Sequence, residues 1–159
     1  MPMGKKKQAW KPGDTFIVPQ SDGVGTIGQV LDCMMTNVVS CAFYDIRVPL
    51  TSARGPFDLD DDLIISGISV TREQLDFDVW KVIGWQPVAL AKRYWPNENT
   101  RDQKWVGAEV YDAAVAEELL EAYNGLTAWD DWKDPHFLDS LLANPDRKPR
   151  NVVLKKRKD

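Results

Sequence analysis

Hydrophobic and polar residues alternate in short runs through the first two thirds of the chain, and turn-forming residues separate these runs. Short runs of this kind, rich in apolar, β-branched and aromatic residues and bounded by turn residues, predict β-strands. The Asp-Gly pair at positions 22 and 23 is typical of a tight hairpin turn between the first two strands. The predicted strands span residues 15–19, 24–31, 38–48, 63–70, 79–83, 86–92 and 104–111.

The period changes after Asp112. Apolar residues then recur about every fourth position, which predicts an amphipathic helix over residues 113–124 that ends at Gly125. Pro135 and the apolar residues after it predict a second helix over residues 135–142. Strands first and helices last indicate an α+β fold. We expect a β-rich, strongly bent antiparallel sheet or a small SH3-like barrel, followed by two C-terminal helices.

Charge is distributed unevenly along the chain. Residues 12–146 hold 23 acidic and nine basic residues, a net charge of −14, although the whole chain has a net charge of only −4. An acidic body attracts basic partners and repels the phosphates of nucleic acid. The two ends are basic instead. We therefore expect a disordered basic tail over residues 1–10, one globular domain over residues 11–146, and a basic C-terminal tail over residues 147–159.

Few residues suit catalysis or metal binding. The chain has two cysteines, Cys33 and Cys41, and one histidine, His136, which is too few for a zinc site and disfavours thiol catalysis. The pattern G-x-G-x-x-G occurs at residues 23–28, but a hairpin turn precedes it and a strand follows it, so nucleotide binding is not favoured. We therefore predict a non-enzymatic protein with no cofactor, no metal and two reduced, structural cysteines.

The sequence shows no sign of export. It contains no run of about 18 apolar residues, so we expect no membrane span. No apolar stretch follows the lysines near the N-terminus, so we expect no signal peptide. Together with the low cysteine content, these features predict a cytoplasmic protein.

A dense group of carboxylates lies just before a predicted buried strand. Its members are Asp58, Asp60, Asp61 and Asp62. The positions at which an EF-hand loop would need glycine and glutamate hold Leu63 and Ser69, so a calcium site is not favoured. A rigid acidic loop instead suits contact with a basic protein. We predict that this group belongs to a partner-binding surface.

A second candidate surface combines aromatic and acidic residues in a polar loop. Its members are Trp129, Asp130, Asp131 and Trp132. Aromatic anchors are common centres of protein interfaces, so we predict that these residues also contact a basic partner. The alternative is that the two tryptophans pack onto the helices and serve the core.

Several short motifs resemble the immunity protein 26 family. They are residues 11–19 (KPGDTFIVP), the Asp-Gly turn with residues 25–30, residues 80–84 (WKVIG), the acidic helix, and residues 134–142 (DPHFLDSLL). The similarity covers roughly residues 11–149. It implies a bacterial protein, encoded beside a polymorphic toxin, that binds its cognate toxin and neutralises it without catalysis. Many such toxins are nucleases with basic clefts, and a body with a charge of −14 suits their inhibition by mimicry of nucleic acid.

Two other functions stay open at this point. The opening strands also resemble those of SH3-like barrels, including RNA-cleaving toxins, and exposed tryptophans and basic tails would suit nucleic-acid binding. The charge of the body disfavours that function. A carbohydrate-binding module that uses tryptophan platforms is the third possibility.

Overall fold

The computed structural model describes residues 7–155, and these residues form a six-stranded sheet. Its strands are β1 (Asp14–Pro19), β2 (Val24–Met35), β3 (Val38–Pro49), β4 (Ile64–Thr71), β5 (Lys81–Trp85) and β6 (Val110–Tyr111). Their order across the sheet is β5-β1-β2-β3-β4-β6. Neighbours are antiparallel except β4 and β6, which are parallel. The fold is α+β, as expected, but the sheet is mixed rather than purely antiparallel.

The hairpin of β2 and β3 forms the centre of the sheet. Each strand has 12 residues, and their pairing register shifts at three places. Such bulges bend and twist a sheet. A Cβ atom at Gly28 would lie only 2.5 Å from the ring of Phe16 on the neighbouring strand. This glycine of the G-x-G-x-x-G pattern therefore serves the close packing of two strands.

Three α-helices occur in the described part of the chain. They are α1 (Glu73–Asp76), α2 (Ala113–Tyr123) and α3 (Phe137–Leu141). Helix α2 ends before Gly125, whose φ angle is +76°, as the pattern predicts. Helix α3 has only five residues, and a turn precedes it in which the Asp134 carboxylate accepts the His136 N–H. The expected pair of C-terminal helices is thus not clearly formed.

Short 3₁₀ turns complete the local structure. They are Asp61–Leu63, Lys92–Tyr94, Glu98–Gln103 and Pro145–Arg147. They lie in the segments that connect the strands or follow helix α3, where the chain changes direction. None of the helices in residues 7–155 is long and apolar enough to cross a membrane.

Both faces of the sheet are covered. On one face, Trp80 stacks on Phe16 with ring centroids 5.3 Å apart, and it meets Phe43 edge-on. Helices α2 and α3 pack against the same cluster. On the other face, Tyr44 and Leu90 belong to a second cluster that the connecting loops cover. The centres of the long strands are therefore buried on both sides, which explains their nearly continuous apolar runs.

The sheet is open at both edges. Strands β5 and β6 lie at opposite ends of the strand order and do not pair with each other. The predicted strand over residues 86–92 does not join the sheet. The Gln86 side chain instead donates to and accepts from the main chain of Phe57, which holds this segment against a loop. A closed SH3-like barrel is therefore not confirmed for residues 7–155.

The predicted last strand, residues 104–111, is reduced to the two residues of β6. Lys104 and Trp105 have φ angles of 55° and 66°, and such left-handed conformations interrupt an extended chain. Only Val110–Tyr111 returns to the sheet, where it pairs with β4. The expected strand is therefore wrong over most of its length.

The segment before residue 11 packs onto the domain. The Gln8 N–H donates to the Asp76 carbonyl at 2.7 Å, and Trp10 Nε1 donates to the Asp76 carboxylate at 2.8 Å. These contacts hold the segment against helix α1. Gln8 and Trp10 are therefore in contact with the domain. Residues 1–6 of the predicted basic tail lie outside the described residues.

Part of the predicted basic C-terminal tail is also folded. Arg147 pairs with Asp45 at 3.2 Å, and Lys148 pairs with Asp139 at 2.9 Å. Positive charges of this segment meet carboxylates of the acidic body, which favours its packing onto the domain. Residues 156–159 lie outside the described residues.

Candidate functional site

The acidic loop, residues 58–62, has a fixed backbone. Its centre is the buried Leu59, the Asp60 carboxylate accepts the Asp62 N–H at 2.8 Å, and Asp61 accepts a main-chain N–H at 3.4 Å. Its carboxylates are Asp58, Asp60, Asp61 and Asp62. Within residues 7–155, none of these four takes part in an ion pair. The loop therefore presents charge that the described part of the chain does not neutralise.

A buried tyrosine lies near this loop. Tyr44 is fully buried, and its hydroxyl has no hydrogen-bond partner among the described residues. Burial raises the pKa of Tyr44, and the charge of Asp61 raises it further. The hydroxyl therefore stays neutral at physiological pH, and the charge of the loop comes from its carboxylates alone.

Trp129 belongs to the core rather than to the surface. Its side chain is among the largest of those fully buried, with 1% of the residue exposed. Its Nε1 donates to Asp139 at 2.9 Å, and the Lys148 ammonium lies 5.4 Å from its ring centroid. A partner that docks on the surface would not reach this ring. Trp129 therefore packs in the core, which is the alternative that the sequence left open for the two loop tryptophans.

Asp139 fixes this region. It accepts hydrogen bonds from Trp129 and His136 and pairs with Lys148. Partial burial raises the pKa of Asp139, but the hydrogen bonds from Lys148, Trp129 and His136 outweigh burial, so the pKa is lowered overall. Asp139 is therefore ionised at neutral pH and holds the buried tryptophan in place.

The remaining three predicted residues lie at the surface. Trp132 is half-buried, and its ring packs on Phe137 with a centroid distance of 4.6 Å. Asp130 accepts the main-chain N–H of Lys155 at 2.6 Å, and the Lys155 ammonium lies 3.1 Å from Asp131. This acidic pair is therefore in contact with the chain's own basic C-terminal segment.

Helix α2 places two glutamates beside these residues and so forms a cleft. The cleft has a volume of about 290 Å³ and is lined by Glu118, Glu121, Thr127, Ala128, Asp131 and Trp132. We call it the acidic cleft. Sequence analysis missed its glutamates as site residues, although their spacing of three places them on one helix face. The sequence carried no signal that this face lies next to Asp131.

The acidic cleft is only partly neutralised. Glu121 accepts the N–H and hydroxyl of Ser21 at 2.7 and 2.6 Å. Glu118 is exposed and has no ion-pair partner in the described chain. The cleft is thus lined by three carboxylates and the Trp132 ring, and of the three only the Asp131 carboxylate has an ion-pair partner among residues 7–155, the Lys155 ammonium. Such a site attracts cations, because both the carboxylates and the ring face favour positive charge.

The acidic loop and the acidic cleft are separate sites. Leu59 of the loop belongs to the core cluster on one face of the sheet, whereas Trp129 and helix α2 belong to the cluster on the other face. The structure therefore does not bring the two predicted acidic groups together. Each has to be tested as a contact on its own.

Neither cysteine forms a disulfide. Cys33 is exposed on β2, and Cys41 is buried on β3. Burial raises the pKa of the Cys41 thiol and keeps it protonated, which makes it a poor nucleophile. Residues 7–155 contain no group of three or more His, Cys, Asp or Glu side chains that could hold a metal ion.

No protein-family model, curated protein or solved structure matches this chain. The resemblance to the immunity protein 26 family therefore stays a prediction from short motifs.

Proposed function

We propose that this protein is a cytoplasmic immunity protein that binds a basic bacterial toxin and blocks it by occlusion. The observation that best supports the proposal is the acidic cleft, where Glu118 and Asp131 lie beside Trp132. An arginine or lysine side chain of the partner would pair with the carboxylates and stack on the ring. The aromatic ring supplies the desolvated centre that charge alone does not provide.

The size of the acidic cleft and the charge of the domain support a protein partner. The cleft, with a volume of about 290 Å³, has room for a long side chain of a partner protein. The charge of −14 on residues 12–146 accelerates encounter with a basic surface. Nuclease toxins carry basic clefts for their phosphate substrates, and they are the partner class that we propose.

The acidic loop offers a second contact of a different kind. Two of its carboxylates, those of Asp60 and Asp61, accept main-chain N–H groups, and Asp58, Asp60 and Asp62 are exposed residues. Exposed charges at the rim of an interface change the association rate more than the dissociation rate. We propose that the acidic loop steers the partner and that the acidic cleft holds it.

The test uses the toxin encoded next to the gene, with binding and toxin activity measured in parallel. The double variant Glu118→Gln, Asp131→Asn removes two charges from the cleft. The control variant Asp58→Asn, Asp62→Asn removes two charges from the loop, and it spares Asp60 and Asp61, whose side chains bond to the backbone. We expect the cleft variant to weaken binding by on the order of 2–4 kcal/mol, mostly through faster dissociation.

We expect the loop variant to lower the association rate and to change the affinity by less than about 1 kcal/mol. Equal effects of the two variants would reject the cleft as the centre of the interface. A toxin that is neither bound nor inhibited would reject the immunity function. Tight binding of DNA or RNA by a variant that lacks both basic ends would instead favour the nucleic-acid-binding alternative.

A further inference from the structure

The last described residues lie across the loop that leads to the acidic cleft. We call residues 152–155 the C-terminal strap. Val153 of the strap forms a parallel β-bridge with Ala128. The Trp129 N–H donates to the Val153 carbonyl at 2.7 Å. The strap is therefore an extended peptide whose main chain contacts residues 128–130.

The strap also places a positive charge on the two aspartates of this loop. The Lys155 N–H donates to the Asp130 carboxylate at 2.6 Å, and the Lys155 ammonium lies 3.1 Å from the Asp131 carboxylate. Asp131 lines the acidic cleft as well. The chain thus places one of its own lysines at the rim of the site that we propose for a basic partner.

The strap is bound shallowly. Val152 is half-buried and packs against the main core, but Val153 is 44% exposed and Leu154 is 61% exposed. The side chain of Lys155 is 66% exposed, and an exposed ion pair contributes little to stability. The strap can therefore leave the loop without loss of the core.

We infer that residues 128–131 form a docking edge for an extended basic peptide segment, which the strap occupies in cis and the partner occupies in trans. This inference rests on the proposed function and adds the chemistry of the partner segment. The segment offers a carbonyl to the Trp129 N–H from an apolar residue, and it carries lysine or arginine two positions later. In the strap these two residues are Val153 and Lys155. They are two positions apart, and alternate residues of an extended chain point to the same side.

A partner segment has a contact available that the described strap does not use. Glu118 makes no ion pair within residues 7–155, although it lines the same cleft as Asp131. A second basic side chain in the partner segment would reach into the cleft and pair with Glu118. This extra pair favours displacement of the strap when the partner binds.

The test uses a fluorescent peptide with the sequence of residues 151–159, NVVLKKRKD, and a control peptide in which the four basic residues are glutamate. Binding is measured for the wild type, for Lys155→Ala and for the matched variant Lys133→Ala. Both lysines are exposed, so neither change affects the core. We expect Lys155→Ala to bind the basic peptide roughly two- to fivefold more tightly than the wild type, because strap competition is weaker. We expect Lys133→Ala to match the wild type within about twofold.

Hydrogen exchange at the Trp129 amide reports the docking geometry directly. We expect exchange to be faster in Lys155→Ala than in the wild type and to slow again when the basic peptide is added. Addition of Asp131→Asn to Lys155→Ala should weaken peptide binding by a similar factor, roughly two- to fivefold, because it removes the same exposed ion pair. Unchanged exchange at this amide, or equal binding of the basic and acidic peptides, would overturn the inference.

The two proposals fail in different ways. Peptide docking without any binding of the adjacent toxin would reject the proposed function and leave the docking edge in place. Toxin binding that the peptide does not compete with, and that Lys155→Ala does not strengthen, would reject the docking edge and leave the proposed function in place.

Discussion

At the scale of single residues, the two tryptophans of one short loop have different roles. Trp129 is buried and its indole N–H bonds to Asp139, whereas Trp132 is half-buried and packs on Phe137 beside the acidic cleft. The two cysteines differ in the same way, since Cys33 is exposed and Cys41 is buried. Residues of one type therefore serve the core or the surface according to their tertiary position.

This difference predicts unequal reactivity of the two thiols. A disulfide reagent such as Ellman's reagent should modify Cys33 in the native protein, because a thiol reacts as an accessible thiolate. Cys41 should stay unmodified, because burial raises its pKa and excludes the reagent. Denaturation should expose the second thiol. The variant Cys33→Ser is the control, and modification of two thiols per native molecule would contradict the expectation.

At the scale of secondary-structure elements, one helix and one loop create the candidate site. Helix α2 contributes Glu118 and Glu121, and the loop contributes Asp131 and Trp132. The loop is fixed from the other side by helix α3, whose Asp139 bonds to Trp129. Helix α3 therefore holds in place the loop that forms one wall of the cleft.

This role of Asp139 predicts a stability that depends on pH. Its pKa in the folded protein lies below the ordinary value of 3.8, so its ionised form stabilises the fold above that value. The contribution is lost as the pH falls through the lowered pKa. We expect Asp139→Asn to cost about 1 kcal/mol at pH 6, a small value because the carboxylate is partly exposed. The difference from the wild type should shrink towards about pH 3.

Urea denaturation at several pH values measures this effect. The matched control is Asp134→Asn, which makes the same chemical change five positions earlier, where an asparagine oxygen can also accept the His136 N–H. A wild-type advantage over Asp139→Asn that stays constant from pH 6 to about pH 3 would contradict the role of the ionised carboxylate.

At the scale of the whole molecule, charge is the main physical property of the surface. The acidic body carries −14 over residues 12–146, and basic residues near the C-terminus pair with part of it, as Arg147 does with Asp45 and Lys155 with Asp131. The folded protein thus neutralises some of its own acidic surface. The acidic loop and Glu118 remain without ion pairs in residues 7–155.

This charge predicts that salt acts on association with the partner. Raising the ionic strength from about 0.01 to about 0.15 M shortens the screening length from about 30 to about 8 Å. We expect the association rate to fall by roughly tenfold or more, with a much smaller change in dissociation. Stopped-flow measurements with the toxin that we propose as the partner would provide both rates. Binding that is insensitive to salt would reject the acidic mechanism even if the protein inhibits the toxin.

Several features of the fold were predictable from local sequence. The first four strands, the Asp-Gly turn and helix α2 lie close to their predicted positions, because apolar periodicity and turn chemistry act within a few residues. The strand predicted over 86–92 is absent and the one predicted over 104–111 is wrong over most of its length, because distant contacts and backbone conformation decide these segments. Gln86 finds its hydrogen bonds on a distant loop, and Lys104 and Trp105 adopt left-handed conformations that their residue types do not require.

The sequence by itself determined the excess of acidic residues, the position of the long strands before helix α2 and the two candidate acidic groups. Only the tertiary structure decided that the sheet stays open, that Trp129 is buried, and that Glu118 and Glu121 meet Asp131 and Trp132 in one cleft. It also decided that a basic segment of the chain lies on this site. The reason is that charge and periodicity are properties of neighbouring positions, whereas a cleft depends on which distant segments the core brings together.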